Sequence, residues 1–262
     1  SSVYQGVPLR DDGPPILNLA HPPGVDDARQ ARVIEAVRRL NGLRQQTTED
    51  PETAARSAAY DLAERLQQSA PEMSNLGDET RQTLDMYGVQ PSERSFARNC
   101  LLARRLVERG VRYVQVCHGD WDHHGALRTG LAAQCRATDQ ACAALVRDLK
   151  QRGLLDETLV VWGGEFGRTA VGQKNAVGVG RDHQISAFTM WLAGGGIRAG
   201  HTVGETDELG CFSTGDSIHV HDLHATMLHL LGLDHTRLTY RHQGRDFRLT
   251  DVYGRVVHEI LA

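Results

Sequence analysis

The chain has 262 residues with 29 basic and 33 acidic side chains, so its formal net charge is −4. This near-neutral balance argues against nucleic-acid binding, which needs a concentrated basic surface. No apolar run approaches the roughly 20 residues that cross a bilayer, so we expect no membrane span. The five cysteines lack C-x-x-C spacing, which disfavours both a disulfide framework and a zinc knuckle.

The first ninety residues carry helical patterns but no convincing strand. Apolar positions repeat at helical spacing over residues 26–46, and Asp50-Pro51-Glu52 is typical of a second helix start. A third helix is predicted over residues 91–110, where it ends at a glycine. We therefore expect a helical and irregular lead-in over residues 1–91 and a separate domain over residues 92–262.

Short apolar runs alternate with helical patterns in the second part of the chain. Strands are predicted at Val111–Cys117, Thr158–Trp162 and Ala187–Ala193, and helices are predicted over residues 128–151 and 222–231. Strand and helix alternation of this kind indicates an α/β fold, with a mostly parallel sheet sandwiched by helices.

The histidines are concentrated in this second part, because twelve of the thirteen follow Cys117. One group lies directly after the first predicted strand, in Cys117–Gly125. A carboxylate, Glu165, follows the second strand, and Asp182-His183 precedes the third. Loops at the carboxyl ends of parallel strands converge on one crevice, so we expect these groups to share a site. Imidazole together with carboxylate suits zinc, manganese or iron.

Each of these residues also has an ordinary structural explanation. His123 or His124 is then a solvated loop residue, Glu165 caps a helix, and Asp182-His183 forms a structural pair. The joint occurrence of all of them at successive strand ends favours the metal site, although the spacing is less specific than H-E-x-x-H on a helix.

Two arginines lie within a few residues of the proposed carboxylates. Guanidinium groups at Arg168 and Arg181 suit a doubly charged oxyanion such as phosphate or sulfate, although surface arginines are common. His224 fits helix packing better than catalysis. Neither Cys117 nor Ser213 has a local nucleophile signature such as G-x-S-x-G, so the sequence identifies no nucleophile.

Several motifs together carry a family resemblance. They are Gly119–His124, Gly164–Thr169, Gly180–His183, His221–Thr226 and Gln243–Phe247. With these motifs the chain resembles the bacterial family of exported proteins catalogued as domain of unknown function number 1501, a branch of the alkaline phosphatase and sulfatase superfamily. The resemblance covers nearly the whole chain and implies an alkaline phosphatase-like fold.

The resemblance implies a ligand set of four residues. In the superfamily plan two metals lie about 4 Å apart and flank the oxyanion. Asp122, His124 and His183 then hold one metal, and Glu165 holds the second with groups from a preceding segment. The metals implied are divalent, zinc or manganese first, with calcium as the alternative.

The function implied is metal-dependent hydrolysis of phosphate or sulfate esters, with a small-molecule or carbohydrate ester as substrate. The resemblance also implies export from the cytoplasm, and it implies that this chain is the C-terminal portion of a longer protein whose nucleophile lies elsewhere. Two alternatives stay open, namely a non-catalytic binding protein on the same fold and a phosphosugar mutase. The oligomeric state is not predicted.

Overall fold

The computed structural model describes residues 6–9, 23–48 and 73–262. The described residues fall into two compact units. The first contains residues up to Asp85 together with Val89–Arg98, and the second contains Met86–Gly88 and Asn99–Ala262. The helix start predicted at Asp50-Pro51-Glu52 lies outside the described residues. The division of the chain near residue 92 stays a prediction.

The helices follow the periodicity of the sequence. They are α1 (Asp27–Thr48), α2 (Arg81–Tyr87), α3 (Phe96–Glu108), α4 (Leu127–Gln151) and α5 (Val220–Leu230). The bounds of α1, α4 and α5 lie within two residues of those predicted. In the part of the chain that the structure describes, no helix is both long and apolar enough to cross a membrane.

Helix α3 begins five residues later than predicted, at Phe96 rather than at Pro91. The hydroxyl of Ser95 accepts a hydrogen bond from the backbone N–H of Arg98 at 3.1 Å. A serine hydroxyl that accepts this bond satisfies one of the free amides of the first helical turn, which makes Ser95 the N-cap. The local capping chemistry therefore sets the start of the helix.

The strands are short and form four separate ribbons. They are β1 (Val160–Trp162), β2 (Gly167–Asn175), β3 (Gly178–Gln184), β4 (Trp191–Ala193), β5 (Glu205–Thr206), β6 (Ser213–Thr214), β7 (Thr239–His242) and β8 (Arg245–Arg248). Strand β1 pairs with β4, β2 with β3, β5 with β6 and β7 with β8, and every pair is antiparallel.

The predicted parallel sheet sandwiched by helices, and with it the alkaline phosphatase-like fold, is wrong. Among the described strands each sheet has two antiparallel members. The run Val111–Cys117 forms no strand. Two of its residues, Val111 and Tyr113, are 40% and 65% exposed. Strand propensity reflects packing against neighbouring strands, so a β-branched run without a partner stays irregular.

The core of the second unit is helical. Leu101 on α3 and Ala141, Ala144 and Leu149 on α4 are almost completely buried. The two helices are also joined by an ion pair of 2.9 Å between Nε of Arg104 and Asp148. This packed pair fixes α4, and the loop that carries the first histidine group runs directly into the N-terminus of that helix.

Candidate metal centre

The β2–β3 hairpin presents two candidate side chains on one face. In its register His183 of β3 lies directly opposite Arg168 of β2. Directly opposed residues of an antiparallel pair project from the same face of the ribbon. The register shifts between Arg168 and Gly172, which is typical of a β-bulge. The imidazole and the guanidinium therefore reach toward the same space.

The histidine loop is bound to this hairpin through its backbone. The amide of Arg181 donates to the carbonyl of His123 at 2.9 Å, and Nδ2 of Asn175 donates to the carbonyl of His124 at 2.7 Å. The approach is close at Gly180, because a Cβ there would overlap the backbone of His124. Glycine at this position lets the two segments touch.

One residue within the loop and the residue that follows it have left-handed backbone. Asp120 has a φ of 64°, and Ala126, which precedes the first turn of α4, has a φ of 48°. Non-glycine residues adopt this conformation at a cost of about 1–3 kcal/mol, and such positions cluster at functional sites. The packing of the loop against the hairpin compensates this cost.

Three potential ligand atoms converge between the loop and the hairpin. Nε2 of His183 lies 2.9 Å from Oδ1 of Asp122, and Nε2 of His124 lies 3.0 Å from the same oxygen. The two Nε2 atoms are 3.1 Å apart. The three atoms therefore form a nearly equilateral triangle, which we call the Asp-His-His cluster.

The far side of the His124 ring contacts two polar side chains. Nδ1 of His124 lies 2.9 Å from Oε1 of Gln173 and 3.9 Å from Oδ1 of Asp182. A proton on Nδ1 bonds to Gln173 and leaves the lone pair on Nε2, which is the tautomer that binds a metal through Nε2. A hydrogen-bond acceptor behind a histidine ligand is the usual device that orients a metal-binding imidazole. In this tautomer the lone pair of His124 points into the Asp-His-His cluster.

A charged group also contacts the carboxylate of the cluster. Nη1 of Arg168 donates to Oδ1 of Asp122 at 2.5 Å. Hydrogen bonds from His183 and then from Arg168 lower the pKa of Asp122 to about 2. Because these contacts favour the charged form, the carboxylate is ionised at neutral pH. The cluster thus combines an anion with two imidazole nitrogens, which is a ligand set for a divalent cation.

The geometry fits such an ion. In octahedral coordination, ligand atoms about 2.1 Å from one ion and at right angles to each other are separated by about 3.0 Å, whereas tetrahedral coordination separates them by about 3.4 Å. The observed separations of 2.9, 3.0 and 3.1 Å match the octahedral value. Two imidazoles and one carboxylate on one face of an ion is a recurrent arrangement for transition metals that keep further positions open.

The cluster contains three of the four predicted metal ligands. Asp122, His124 and His183 bring their ligand atoms within 4.8 Å of one another. Glu165 is exposed and is not a member of this group. Of the two arginines predicted to bind an oxyanion, Arg168 pairs with Asp122, whereas Nη1 of Arg181 donates to the carbonyl of Thr169 at 2.9 Å.

Sequence reasoning missed the residues behind the ligands. Gln173 contacts a histidine that lies 49 positions earlier in the chain, and no local motif marks it. Asp182 was recognised only as the neighbour of His183. Its carboxylate accepts the backbone N–H of His183 at 2.8 Å and also lies near the ring of His124. The register of the β2–β3 hairpin alone brings these groups together.

Comparison with known families agrees with the motifs. The profile of the family described as "Protein of unknown function (DUF1501)" matches residues 1–261. The chain belongs to this family. No curated protein and no solved structure matches it. Membership of DUF1501 therefore stands on nearly the full sequence, and the activity of the chain has to be argued from the site itself. Export from the cytoplasm stays a prediction.

Proposed function

We propose that this DUF1501 protein is a divalent-metal-dependent hydrolase of phosphate or sulfate esters, centred on the Asp-His-His cluster. The observation that carries the proposal is the convergence of one carboxylate oxygen and two imidazole nitrogens at mutual distances of 2.9–3.1 Å. Zinc or manganese is the proposed ion, because both accept mixed nitrogen and oxygen ligands.

The cluster is open to solvent, as a catalytic site requires. The side chains of Asp122, His183 and His124 are 61%, 42% and 35% exposed. Catalytic metal sites use three protein ligands and leave the remaining positions to water or substrate, whereas structural sites are closed by protein ligands. Three protein ligands at the surface therefore favour a catalytic role over a structural one.

Residues of the chain have separable roles in this proposal. Asp122, His124 and His183 hold the ion, and Gln173 keeps the His124 lone pair directed at it. Arg168 lies against Asp122 with a quarter of its side chain exposed, so it is placed to bind an ester oxyanion beside the ion. When bound, a divalent ion supplies Lewis acidity that polarises the ester and acidifies water.

The ester class rests on the motifs that resemble the alkaline phosphatase and sulfatase superfamily and not on a shared fold, and this relationship is part of the proposal. A doubly charged oxyanion matches a guanidinium beside a divalent ion. Phosphate and sulfate esters share this chemistry, so an assay must separate them.

The test combines metal content with turnover. The purified chain is freed of metal, loaded with zinc or with manganese, quantified by elemental analysis, and assayed with p-nitrophenyl phosphate and p-nitrophenyl sulfate. We expect about one ion per chain and weak turnover of one ester that the chelated protein lacks, with metal-activated water as the attacking group because the sequence identifies no nucleophile. The His183→Ala variant should lose both properties, and His201→Ala, which changes an exposed histidine outside the cluster, should keep them.

Two outcomes contradict the proposal. Failure to take up an ion removes its basis. Uptake of one ion without turnover of either ester or of a wider ester panel contradicts the hydrolase and favours a non-catalytic metal-binding protein.

A further inference from the structure

A second candidate site lies at the start of α5, apart from the Asp-His-His cluster. A cavity of about 640 Å³ is lined by His219, Asp222, Val252, Tyr253, Gly254 and Arg255. This volume lies in the range of about 300–1,000 Å³ that is usual for small-molecule sites. The two sites share no residue.

Two rings that line this cavity, those of His219 and Tyr253, stack on His221, which is not among the lining residues. The rings of His219 and His221 stack at 5.0 Å between centroids, and those of His221 and Tyr253 stack at 5.7 Å with an angle of 15° between their planes. Tyr253 is nevertheless 63% exposed. One face of the phenol ring is thus backed by His221, and the remaining surface of the ring is open to a ligand.

The polar groups around the ring of Tyr253 include both hydrogen-bond donors and hydrogen-bond acceptors. Nδ1 of His219 accepts the backbone N–H of His221 at 3.2 Å, so the proton of the neutral ring lies on Nε2, where it is a donor. The guanidinium of Arg255 is 56% exposed, with Nε 3.7 Å from Asp222. The hydroxyl of Tyr253 is a further donor.

Asp222 supplies the acceptors. Its Oδ1 accepts the backbone N–H of Arg255 at 2.8 Å, and its Oδ2 accepts the backbone N–H of His219 at 3.1 Å. The side chain of Asp222 is 12% exposed and lines the cavity, and each carboxylate oxygen keeps a lone-pair position beyond these backbone bonds. The bond from the His219 backbone to Oδ2 also belongs to a capping box that begins α5.

From this arrangement we infer that the cavity binds the ring of a sugar. The apolar face of a pyranose packs on an aromatic ring, and its hydroxyls both donate and accept hydrogen bonds. Tyr253 supplies the ring face, Arg255 and His219 supply donors, and Asp222 supplies acceptors. A hydrocarbon ligand leaves these polar groups unpaired, which is unfavourable. The mixed lining therefore favours a polyhydroxylated ring.

The experiment is a binding measurement on the full chain. Saturation-transfer NMR is recorded with glucose, galactose, mannose and N-acetylglucosamine, with the open-chain polyol sorbitol as the matched control. We expect at least one monosaccharide to bind in the millimolar range and sorbitol not to bind. A chelator should leave this binding unchanged, which separates it from the proposed metal function.

Variants locate the site. Tyr253→Ala should weaken binding at least fivefold, whereas Tyr253→Phe, which keeps the ring, should retain most of it. Arg255→Gln should weaken binding roughly tenfold, as expected for loss of a charge-assisted hydrogen bond. Both side chains are largely exposed, so these variants should fold.

The inference is overturned if no monosaccharide of the panel binds. It is equally overturned if the Tyr253→Ala and Arg255→Gln variants bind as well as the unaltered chain, or if sorbitol binds as tightly as the cyclic sugars.

Discussion

Two polar clusters of the second unit use similar residues in opposite environments. In the first, Asp148 lies between α3 and α4 with a side chain only 4% exposed, and Arg104 opposite it is 2% exposed. In the second, the Asp-His-His cluster, Asp122 is 61% exposed. Both clusters contain a carboxylate with cationic or titratable partners. They differ in whether protein groups or solvent surround those partners.

The buried cluster is closed by protein groups. Asp148 accepts a hydrogen bond from the hydroxyl of Tyr87 at 3.1 Å, and it also pairs with Nε of Arg152 at 2.8 Å. Burial and then the carboxylate of Asp148 raise the pKa of Tyr87. This cluster supports the helices and has no room for a ligand. In the exposed cluster two imidazole nitrogens and a carboxylate oxygen converge at the surface, and a cation from outside can bind all three.

The largest expected effect is on stability at the buried cluster. Asp148→Ala removes the buried partner of the Arg104 guanidinium, which keeps the partly exposed Glu108, and such a loss costs about 3–5 kcal/mol. Urea unfolding followed by circular dichroism measures the change. Asp122→Ala is the matched control, and we expect its unfolding midpoint to stay close to that of the unaltered chain. Equal destabilisation by both variants contradicts the distinction between the clusters.

The next effect is on metal binding at the exposed cluster. His183→Ala should weaken zinc or manganese binding by roughly a hundredfold or more, since loss of an orienting partner behind a ligand alone costs about 10–100-fold. Isothermal titration of the metal-free protein gives the affinity. The far-ultraviolet spectrum should not change. Unaltered affinity in the variant rules out His183 as a ligand.

A smaller effect on metal affinity is expected at Gln173, which contacts the His124 ring. Gln173→Ala removes the acceptor that holds the proton of His124 on Nδ1, so metal affinity should fall about tenfold. Gln173→Glu keeps an acceptor at the same place and should restore the affinity. The same titration measures both variants. If the alanine and glutamate variants behave alike, the proposed role of Gln173 is incorrect.

The smallest effect is electrostatic. Arg168→Gln removes a cation from Asp122, so the pKa of this carboxyl should rise from about 2 toward its ordinary value of 3.8. The sign follows because the guanidinium favours the charged form. Titration of the side-chain carboxyl carbon by NMR in the metal-free protein measures the shift. A pKa that stays unchanged shows that the two histidines, and not Arg168, lower the pKa of Asp122.

The helices were largely predictable from the sequence, because helical periodicity and capping are local. Helix α4 illustrates this, since its apolar stripe and its terminal glycine lie within one segment. The sheet was not predictable in the same way. The run Val111–Cys117 has the composition of a strand, but a strand exists only with a partner, and pairing is decided by segments far apart in the chain.

The candidate site, like the fold, was predictable from the sequence only in part. The sequence by itself determined the family and the residue types, a carboxylate and imidazoles in the segments around Asp122 and His183, because ligand chemistry belongs to single side chains. Only the tertiary structure showed that the ligand atoms of Asp122, His124 and His183 converge and that Gln173 contacts the His124 ring. These outcomes depend on the register of an antiparallel hairpin and on a glycine that lets a loop lie against it, and no local pattern encodes such long-range contacts.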